Sequence, residues 1–203
     1  MALIKISYKD ALIIVDMQND FMPGGALPVN NALSIIPRIN EYIELFKRAG
    51  ALIIATRDWH PPNHISFSNR GGPWPPHCVQ GSKGAEFHPS LLLPGEAILV
   101  SKGYKEDREA YSGFEDTALH QILISRGVKR LFICGVATDY CVKATALDAI
   151  NLGYTVFILE DAIRGVDIPK GSVDRAINEM LNQGCILITI NDIVNEIQRS
   201  KSI

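Results

Sequence analysis

Polar side chains follow four separate apolar segments of the chain, and their types suit acid–base and nucleophilic chemistry. Asp16 follows the first segment, Asp58 and His60 the second, and Lys102 the third, while Cys141 comes shortly after the fourth. An aspartate can act as a general base and a cysteine as a nucleophile, and a lysine can balance their charges. If the segments are parallel strands, their carboxyl ends meet at one edge of the sheet, so these side chains should converge there.

Cys141 is the candidate nucleophile. A helix is predicted to begin near this residue, and the partial positive charge of a helix N-terminus favours a thiolate. The unpaired N–H groups of such a turn could also receive a developing oxyanion. By contrast, Cys134 and Cys185 lie inside apolar segments and are interpreted as core residues. Because no histidine follows a strand outside one long loop, Asp16 and Lys102 are the available base and cation.

The long loop, residues 58–89, carries a second group of reactive side chains. It contains six of the eleven prolines and four of the five histidines, and it shows no convincing helix or strand. A loop longer than about 15 residues in a compact domain is usually functional or held by something other than backbone hydrogen bonds. Asp58 and His60 point the same way in an extended segment, so with His77 folded back they can share one ion. Two imidazoles and a carboxylate suit zinc, with iron or manganese as alternatives, and His64 is a further candidate.

The apolar segments alternate with segments of helical periodicity. Six short runs are apolar throughout, as expected for strands that are buried on both faces. Between most of them, apolar residues recur at helical spacing and a glycine marks the stop. This alternation predicts an α/β fold, a parallel sheet with helices on both faces. The predicted strands are 11–15, 51–56, 97–101, 130–135, 155–160 and 185–190, and the predicted helices are 31–49, 116–126, 138–152, 172–183 and one from Asn191 towards Arg199.

Composition restricts both the class of protein and its partners. The 203 residues are 47% hydrophobic and 21% charged, which fits a single globular domain over 1–203. The net charge of −2, without a long block of like charge, argues against a nucleic-acid partner. No run approaches the ~18 apolar residues of a membrane span, and the first residues lack the apolar core of a signal peptide. Four cysteines without C-x-x-C spacing indicate reduced thiols and a cytoplasmic protein.

Several common catalytic motifs are missing from the sequence. There is no G-x-x-x-x-G-K-[ST] loop, no G-x-G-x-x-G turn after a strand and no G-x-S-x-G elbow. These absences disfavour nucleotide hydrolysis, a dinucleotide cofactor of the usual kind and a serine hydrolase. The cysteine and the metal-type loop therefore remain the main functional signals.

Four motifs resemble one family of enzymes. The runs 13–21 (IIVDMQNDF) and 135–142 (GVATDYCV) resemble the isochorismatase-like cysteine hydrolases. The runs 56–61 (TRDWHP) and 72–78 (GPWPPHC) are similar to the nicotinamidase branch of that family. They match in residue type, order and spacing, and the similarity extends from about Asp10 to the last predicted helix.

The resemblance implies a three-layer Rossmann-like fold with a six-stranded sheet in the order 3-2-1-4-5-6. It also implies hydrolysis of nicotinamide to nicotinic acid and ammonia through a cysteine thioester, with one divalent metal ion. The peptide bond before Ala137 is expected to be cis. The implied site residues are the triad Asp16, Lys102 and Cys141, the metal positions Asp58, His60 and His77 with His64 a ligand in only some members, the oxyanion-hole N–H groups of Ala137 and Cys141, and the ring-binding residues Phe21, Trp74, Tyr111, Val136 and Ala137.

Two alternatives stay open at this point. A metal-independent relative that acts on another small amide, or on a carbamoyl or ureido compound, would keep the triad but would give Asp58, His60 and His77 no reason to converge. A non-catalytic metal- or ligand-binding protein on the same fold would release no ammonia from any amide. The expected partners are a small amide and a second copy of the chain, although no residue pattern locates a dimer contact, and neither nucleic acid nor a membrane is expected.

Overall fold

The computed structural model of the protein describes residues 3–194 and confirms the predicted strand–helix alternation. Six strands form one sheet in the order β3-β2-β1-β4-β5-β6, and each neighbouring pair is parallel. Among the described residues, no helix is long and apolar enough to cross a membrane. The strands are β1 (Asp10–Val15), β2 (Leu52–Asp58), β3 (Ile98–Lys102), β4 (Arg130–Val136), β5 (Thr155–Arg164) and β6 (Ile186–Ile188), and the helices are α1 (Ile36–Arg48), α2 (Leu119–Ser125), α3 (Lys143–Asn151) and α4 (Ser172–Asn182).

The central strand β1 separates two apolar cores. All six of its residues are buried, as its uninterrupted apolar run predicts. Leu12 and Ile14 face a core that they share with the apolar side of α1. Ile13 faces the opposite core, which it shares with residues of α2, α3 and α4. The sheet therefore lies between two helical layers, and β1 is held from both sides.

The local sequence accounts for where helix α1 begins and ends. A short 3-10 turn, Ala32–Ile35, leads into the helix, and Pro37 lies in its first turn, where a missing N–H costs little. Ile39 and Phe46 are fully buried against the sheet. The helix stops before Gly50, whose φ of +66° is the left-handed conformation that favours glycine.

Several observed boundaries differ from the predicted ones by up to five residues, and α1 and α3, for example, begin five residues later than predicted, at Ile36 and Lys143. Strand β5 runs to Arg164, four residues past the predicted end at 160, because Ile163 and Arg164 pair with Gly135 and Val136 of β4. Within this extension, the Asp161 carboxylate accepts from the Tyr42 hydroxyl at 2.7 Å and lies 3.1 Å from the Arg38 guanidinium. The helix predicted from Asn191 is a 3-10 turn over Ile190–Asp192 in the described part, and its remainder lies outside the described residues.

The loop 58–89 has little regular structure, as predicted. It contains two 3-10 turns and isolated bridges rather than strands. Gln18 ties its two ends together, since its side-chain amide donates to the carbonyls of Asp58 and Ala85 at 2.8 and 2.9 Å. The same side chain accepts from the Asp58 N–H at 2.8 Å. The loop is therefore anchored to the carboxyl edge of the sheet.

Candidate active site and metal centre

Four neighbouring strands deliver the predicted reactive groups to one edge of the sheet. Asp16 comes directly after β1 and has a φ of +51°, which is uncommon for a residue with a side chain. Asp58 and Lys102 are the last residues of β2 and β3 and lie opposite each other in the strand register. Cys141 lies in a π-helical turn between β4 and α3. All four side chains are buried, so the predicted convergence occurs inside the protein and not on its surface.

Lys102 lies at the centre of this group. Its Nζ lies 2.9 Å from Oδ2 of Asp16 and donates to Sγ of Cys141 at 3.2 Å and to Oδ1 of Asp58. The Thr56 hydroxyl donates to Oδ1 of Asp16 at 2.6 Å. Oδ2 of Asp16 faces the Lys102 ammonium and accepts no other hydrogen bond from the described residues. One oxygen of Asp16 is thus fixed, while the other can still accept a proton.

Burial sets the charge states of these groups. It raises the pKa of the Cys141 thiol well above its usual value, and it raises the pKa of Asp16 despite the opposing charge of Lys102. At Lys102, the negative charges of Asp16 and Asp58 raise the pKa more than burial lowers it, so Lys102 stays cationic. The prediction of a thiolate-favoured Cys141 is therefore wrong, because desolvation of the sulfur outweighs the helix terminus and the nearby ammonium. The sulfur needs a base, and Asp16 is the adjacent one.

Asp58, His60 and His77 form the predicted metal-type cluster. Nε2 of His60 and Nε2 of His77 lie 3.7 and 3.9 Å from Oδ2 of Asp58. The opposite nitrogen of each ring faces a backbone carbonyl, that of Gly103 at 2.9 Å and that of Pro75 at 2.8 Å. A carbonyl can only accept, so Nδ1 carries the proton and the lone pair on Nε2 is free. Two free imidazole nitrogens and a carboxylate oxygen, all buried and within 4.8 Å of one another, fit a divalent ion.

His64 lies beside this cluster but uses both of its ring nitrogens. Nδ1 is 2.7 Å from the Ser66 hydroxyl, and Nε2 is 3.0 Å from the carbonyl of Arg108. His60, His64 and Glu109 also have donor atoms within 4.8 Å of one another. In the arrangement observed, His64 has no free lone pair directed at Asp58, and it joins the loop to the segment around Arg108.

The predicted ring-binding aromatic residues fall into two groups by their contacts. Phe21 contacts His77 with a centroid distance of 5.8 Å. Trp74 donates from Nε1 to the Tyr111 hydroxyl at 2.9 Å, and both rings contact Tyr140 at 5.1 and 5.8 Å. Sequence analysis drew nothing from Tyr140, although its position directly before the cysteine was an available signal. Trp74, Tyr111 and Tyr140 therefore form one aromatic cluster, which includes the residue before Cys141, and Phe21 lies with the imidazoles.

The turn after β4 has the conformation that the family resemblance implied. The peptide bond between Val136 and Ala137 is cis. The carbonyl of Ala137 accepts from the N–H groups of Tyr140 and Val142 at 3.0 and 3.1 Å. Within residues 3–194, the N–H of Ala137 donates to no backbone carbonyl, so it can donate to a ligand beside Cys141.

Asp139, two residues before the cysteine, is a second residue that sequence analysis missed. Its carboxylate accepts from the N–H groups of Val166 and Asp167 at 2.9 and 3.0 Å and from the Ser172 hydroxyl at 2.6 Å. These contacts join the cysteine turn to the start of α4. The available signal was an acidic residue in a predicted first helical turn, a position that usually indicates only a cap.

A groove of about 750 Å³ lies elsewhere on the molecule. Its lining comes mainly from α1 and from segments near the two ends of the described chain, including Ile6, Glu44, Arg48 and Ile190. None of the predicted catalytic or metal-type residues reaches it. The reactive groups and this groove are therefore separate features.

Comparisons with known proteins agree with the geometry. The family model of the isochorismatase domain matches residues 10–192. A nicotinamidase of Acinetobacter baylyi is 39% identical over 206 residues, which cover 91% of this chain and 94% of that protein. The pyrazinamidase of Pyrococcus horikoshii, solved in complex with zinc, is 56% identical with a TM-score of 0.86, covering 90% of this chain and 99% of that chain. PnC1 from L. infantum, solved in complex with nicotinate, is 38% identical with a TM-score of 0.88, covering 96% of this chain and 100% of that chain.

Proposed function

The chain belongs to the isochorismatase family, and on that premise we propose that it is a nicotinamidase, which hydrolyses nicotinamide to nicotinic acid and ammonia. One observation carries the proposal: Asp58 contacts Lys102 with one oxygen and faces His60 and His77 with the other. A cysteine-hydrolase triad and a cluster suited to a divalent ion are therefore joined in one buried site. The nicotinamidase and pyrazinamidase relatives support this substrate class, with pyrazinamide as a second substrate and NAD salvage as the pathway.

The first step is attack by sulfur. Oδ2 of Asp16 accepts the proton from Sγ of Cys141, and the thiolate attacks the carboxamide carbon as the C=O electron pair moves to oxygen. The N–H groups of Ala137 and Cys141 donate to the resulting oxyanion. Lys102 remains protonated and offsets the charge that moves between the acid and the sulfur.

The second step releases ammonia and then the acid. Asp16 returns its proton to the amide nitrogen as the C–N bond breaks, which leaves a thioester on Cys141. Asp16 then accepts a proton from a water molecule, and the hydroxide attacks the thioester carbon. The C–S bond breaks, nicotinic acid leaves, and the proton held by Asp16 returns to sulfur. Each proton that Asp16 accepts is therefore returned within one turnover.

Asp58, His60 and His77 would hold the divalent ion, and zinc suits them best, with iron or manganese as alternatives. When bound, the ion supplies an electrophilic position for the ring nitrogen of the substrate. Phe21, Trp74 and Tyr111 are proposed to flank the ring, with Val136 and Ala137 beside the carboxamide. These contacts would place the carboxamide carbon beside Cys141, so the cluster acts mainly by orienting the substrate.

We also propose the domain organisation, the cellular location and the partners of the protein. We infer one domain over 1–203 with 58–89 as its metal-binding loop, action in the cytoplasm, and assembly as a homodimer. A small amide is the proposed partner, without nucleic acid or a membrane. The net charge of −2, without a long block of like charge, supports the absence of a nucleic-acid partner.

A metal-independent amidase is the second candidate, and the histidine arrangement argues against it. Without an ion, burying two imidazoles with their free nitrogens towards one carboxylate would have no evident purpose. The deciding experiment is an ammonia-release assay on a panel of aromatic and aliphatic amides, with metal analysis of the same sample. Turnover of nicotinamide with about one ion per chain supports the proposal. Turnover of only carbamoyl or ureido compounds, without metal, would support the second candidate, and no ammonia from any amide would indicate a binding protein.

A further inference from the structure

We propose that Phe67 is a positioning residue of the metal centre, whose ring holds the imidazoles of His60 and His77 in the orientation that suits an ion at Asp58. This inference rests on the metal site of the proposed function. Phe67 is fully buried. Among the aromatic side chains of residues 3–194, only Phe67 contacts the rings of His60, His64 and His77 together.

The contacts are similar in length and differ in angle. The centroid of the Phe67 ring lies 5.6 Å from that of His60, 5.7 Å from that of His64 and 5.6 Å from that of His77. The interplanar angles are 86°, 64° and 60°. All three are in the range of edge-to-face and tilted aromatic contacts, which are favourable geometries. One ring therefore supports three imidazoles that come from different parts of the loop.

The imidazoles of His60 and His77 need this support because each ring has only one directed hydrogen bond on the side away from Asp58. His60 is hydrogen-bonded at Nδ1 to Gly103, and His77 is hydrogen-bonded at Nδ1 to Pro75. A single hydrogen bond fixes one edge of a ring but still allows the ring to tilt about it. Close packing restricts that tilt, since a ligand must be held to within about 0.5 Å and 10–20° of its working geometry.

The backbone around Phe67 is itself fixed. The N–H of Phe67 donates to the His64 carbonyl at 3.1 Å, and its own carbonyl accepts from Arg70 and Gly72 at 2.8 and 2.9 Å. A Cβ on Gly72 would lie 2.2 Å from the Ser66 carbonyl group, so the turn can close this tightly only with glycine there. The loop therefore presents the Phe67 ring from a rigid turn.

The test compares two buried phenylalanines. Phe67→Leu removes the ring beside the imidazoles, and Phe46→Leu is the matched control, since Phe46 is equally buried but packs against Phe132 in the α1 core. The full-length chain is loaded with one equivalent of zinc and titrated with a chromogenic chelator to obtain the zinc Kd. Residues that orient metal ligands typically contribute about 10–100-fold in affinity, so Phe67→Leu should raise the Kd by that factor. Phe46→Leu should change it by no more than about 3-fold while lowering the thermal unfolding midpoint.

The outcomes separate this inference from the function on which it rests. Wild-type chain that binds neither zinc nor iron nor manganese would overturn the metal site and this inference together. Wild-type chain that binds zinc, with an equal Kd for Phe67→Leu, would overturn only the role of Phe67 and make it an ordinary core residue. If Phe67→Leu does not fold, Phe67→Met fills most of the volume without a planar ring and replaces it in the comparison.

Discussion

Lys102 donates a hydrogen bond to Oδ1 of Asp58, while Oδ2 of the same carboxylate lies 3.7 Å from Nε2 of His60. Asp58 of the metal-type cluster is therefore in direct contact with Lys102 of the proposed triad, so a change in one group affects the other. Substituting Asp58 would remove a ligand and also a partner of Lys102, so it cannot separate the two functions. His77, which does not contact Lys102 in this way, is the better residue for testing the metal alone.

Cys141→Ala should abolish ammonia release, with a loss of about 10³-fold or more, as for other triad nucleophiles. Fold and zinc content should be unchanged, because the sulfur is not among the three proposed ligands. The control is Cys134→Ala, since Cys134 lies within β4 and is fully buried. In the wild-type protein, iodoacetamide should label Cys141 first, because Asp16 can take its proton. Equal labelling of Cys141, Cys134 and Cys185, measured by mass spectrometry, would remove Cys141 from its role.

Asp16→Asn should lower the acylation rate by about 10²–10⁴-fold, because the amide keeps the shape but cannot accept the thiol proton. Single-turnover kinetics with nicotinamide measures this step directly. Thr56→Val is the matched control, since it removes the 2.6 Å hydrogen bond to Asp16 but leaves the carboxylate in place. We expect its loss to be far smaller than that of Asp16→Asn. Comparable losses would show that the orientation of Asp16, and not its basicity, limits the reaction.

Lys102→Met should lower both the rate of ammonia release and the free energy of unfolding. Removing one partner of a buried ion pair typically costs about 3–5 kcal/mol, and here two carboxylates, those of Asp16 and Asp58, would lose their cation. Urea unfolding of the metal-free protein measures the stability, and ammonia release measures the activity. The double variant with Asp16→Asn should lose far less than the sum of the single losses, because the groups act as a unit. Near-full activity of Lys102→Met would contradict the triad.

Metal removal should change selectivity and leave the cysteine chemistry intact. If the ion holds the ring nitrogen, the metal-loaded enzyme should prefer nicotinamide over benzamide strongly, and chelation should remove most of that preference. His77→Ala should behave like the metal-free enzyme. The measurement is kcat/KM for both amides, with and without chelator, on samples of verified zinc content. An unchanged ratio after complete metal removal would leave the ion with a structural role only.

Asp139→Asn should misplace the cysteine turn. The Asp139 carboxylate accepts three hydrogen bonds, and an amide group would direct N–H groups at some of those donors. We expect kcat to fall at least 10-fold, since the loss of one buried hydrogen bond of this kind corresponds to a factor of about that size. The rate of iodoacetamide labelling of Cys141 should change with it. Ser172→Ala is the control, because it removes one donor and keeps the carboxylate. A loss of stability without any change in Cys141 labelling would indicate a structural role.

The strand–helix alternation and the convergence of Asp16 and Lys102 could be predicted from the sequence because both depend on where apolar runs lie and end, whereas the strand order came from the family resemblance. Asp16 and Lys102 stand where such a run ends, and the rule that parallel strands present their carboxyl ends at one edge brings them together. Thr56 could not be identified in this way. In the sequence it is an ordinary β-branched strand residue, and its hydroxyl contacts Asp16 only because the strand register pairs Val15 with Thr56.

Residues whose roles depend on loop closure were not predictable. Phe67 lies in a loop without periodicity, and its three contacts require that distant parts of the loop fold onto each other. Asp139 has the signature of a helix cap but binds the start of another helix. The protonation state of Cys141 was also mispredicted, because a sequence shows the helix terminus but not the extent of burial.

The strand order has a consequence for how the chain is made. Strand β1 pairs with β4, and Asp10 and Arg130, which pair in that register, are 120 residues apart. At synthesis rates of about 5–20 residues per second, the hexapeptide of β1 lacks this neighbour for roughly 6–24 s. A nascent chain halted before β4 should therefore remain cleavable by protease near β1 and bind chaperones there, whereas a chain extended beyond Val136 should be protected. The proposed catalytic base, Asp16, thus follows the first strand to be synthesised, and that strand gains its second neighbour only with β4.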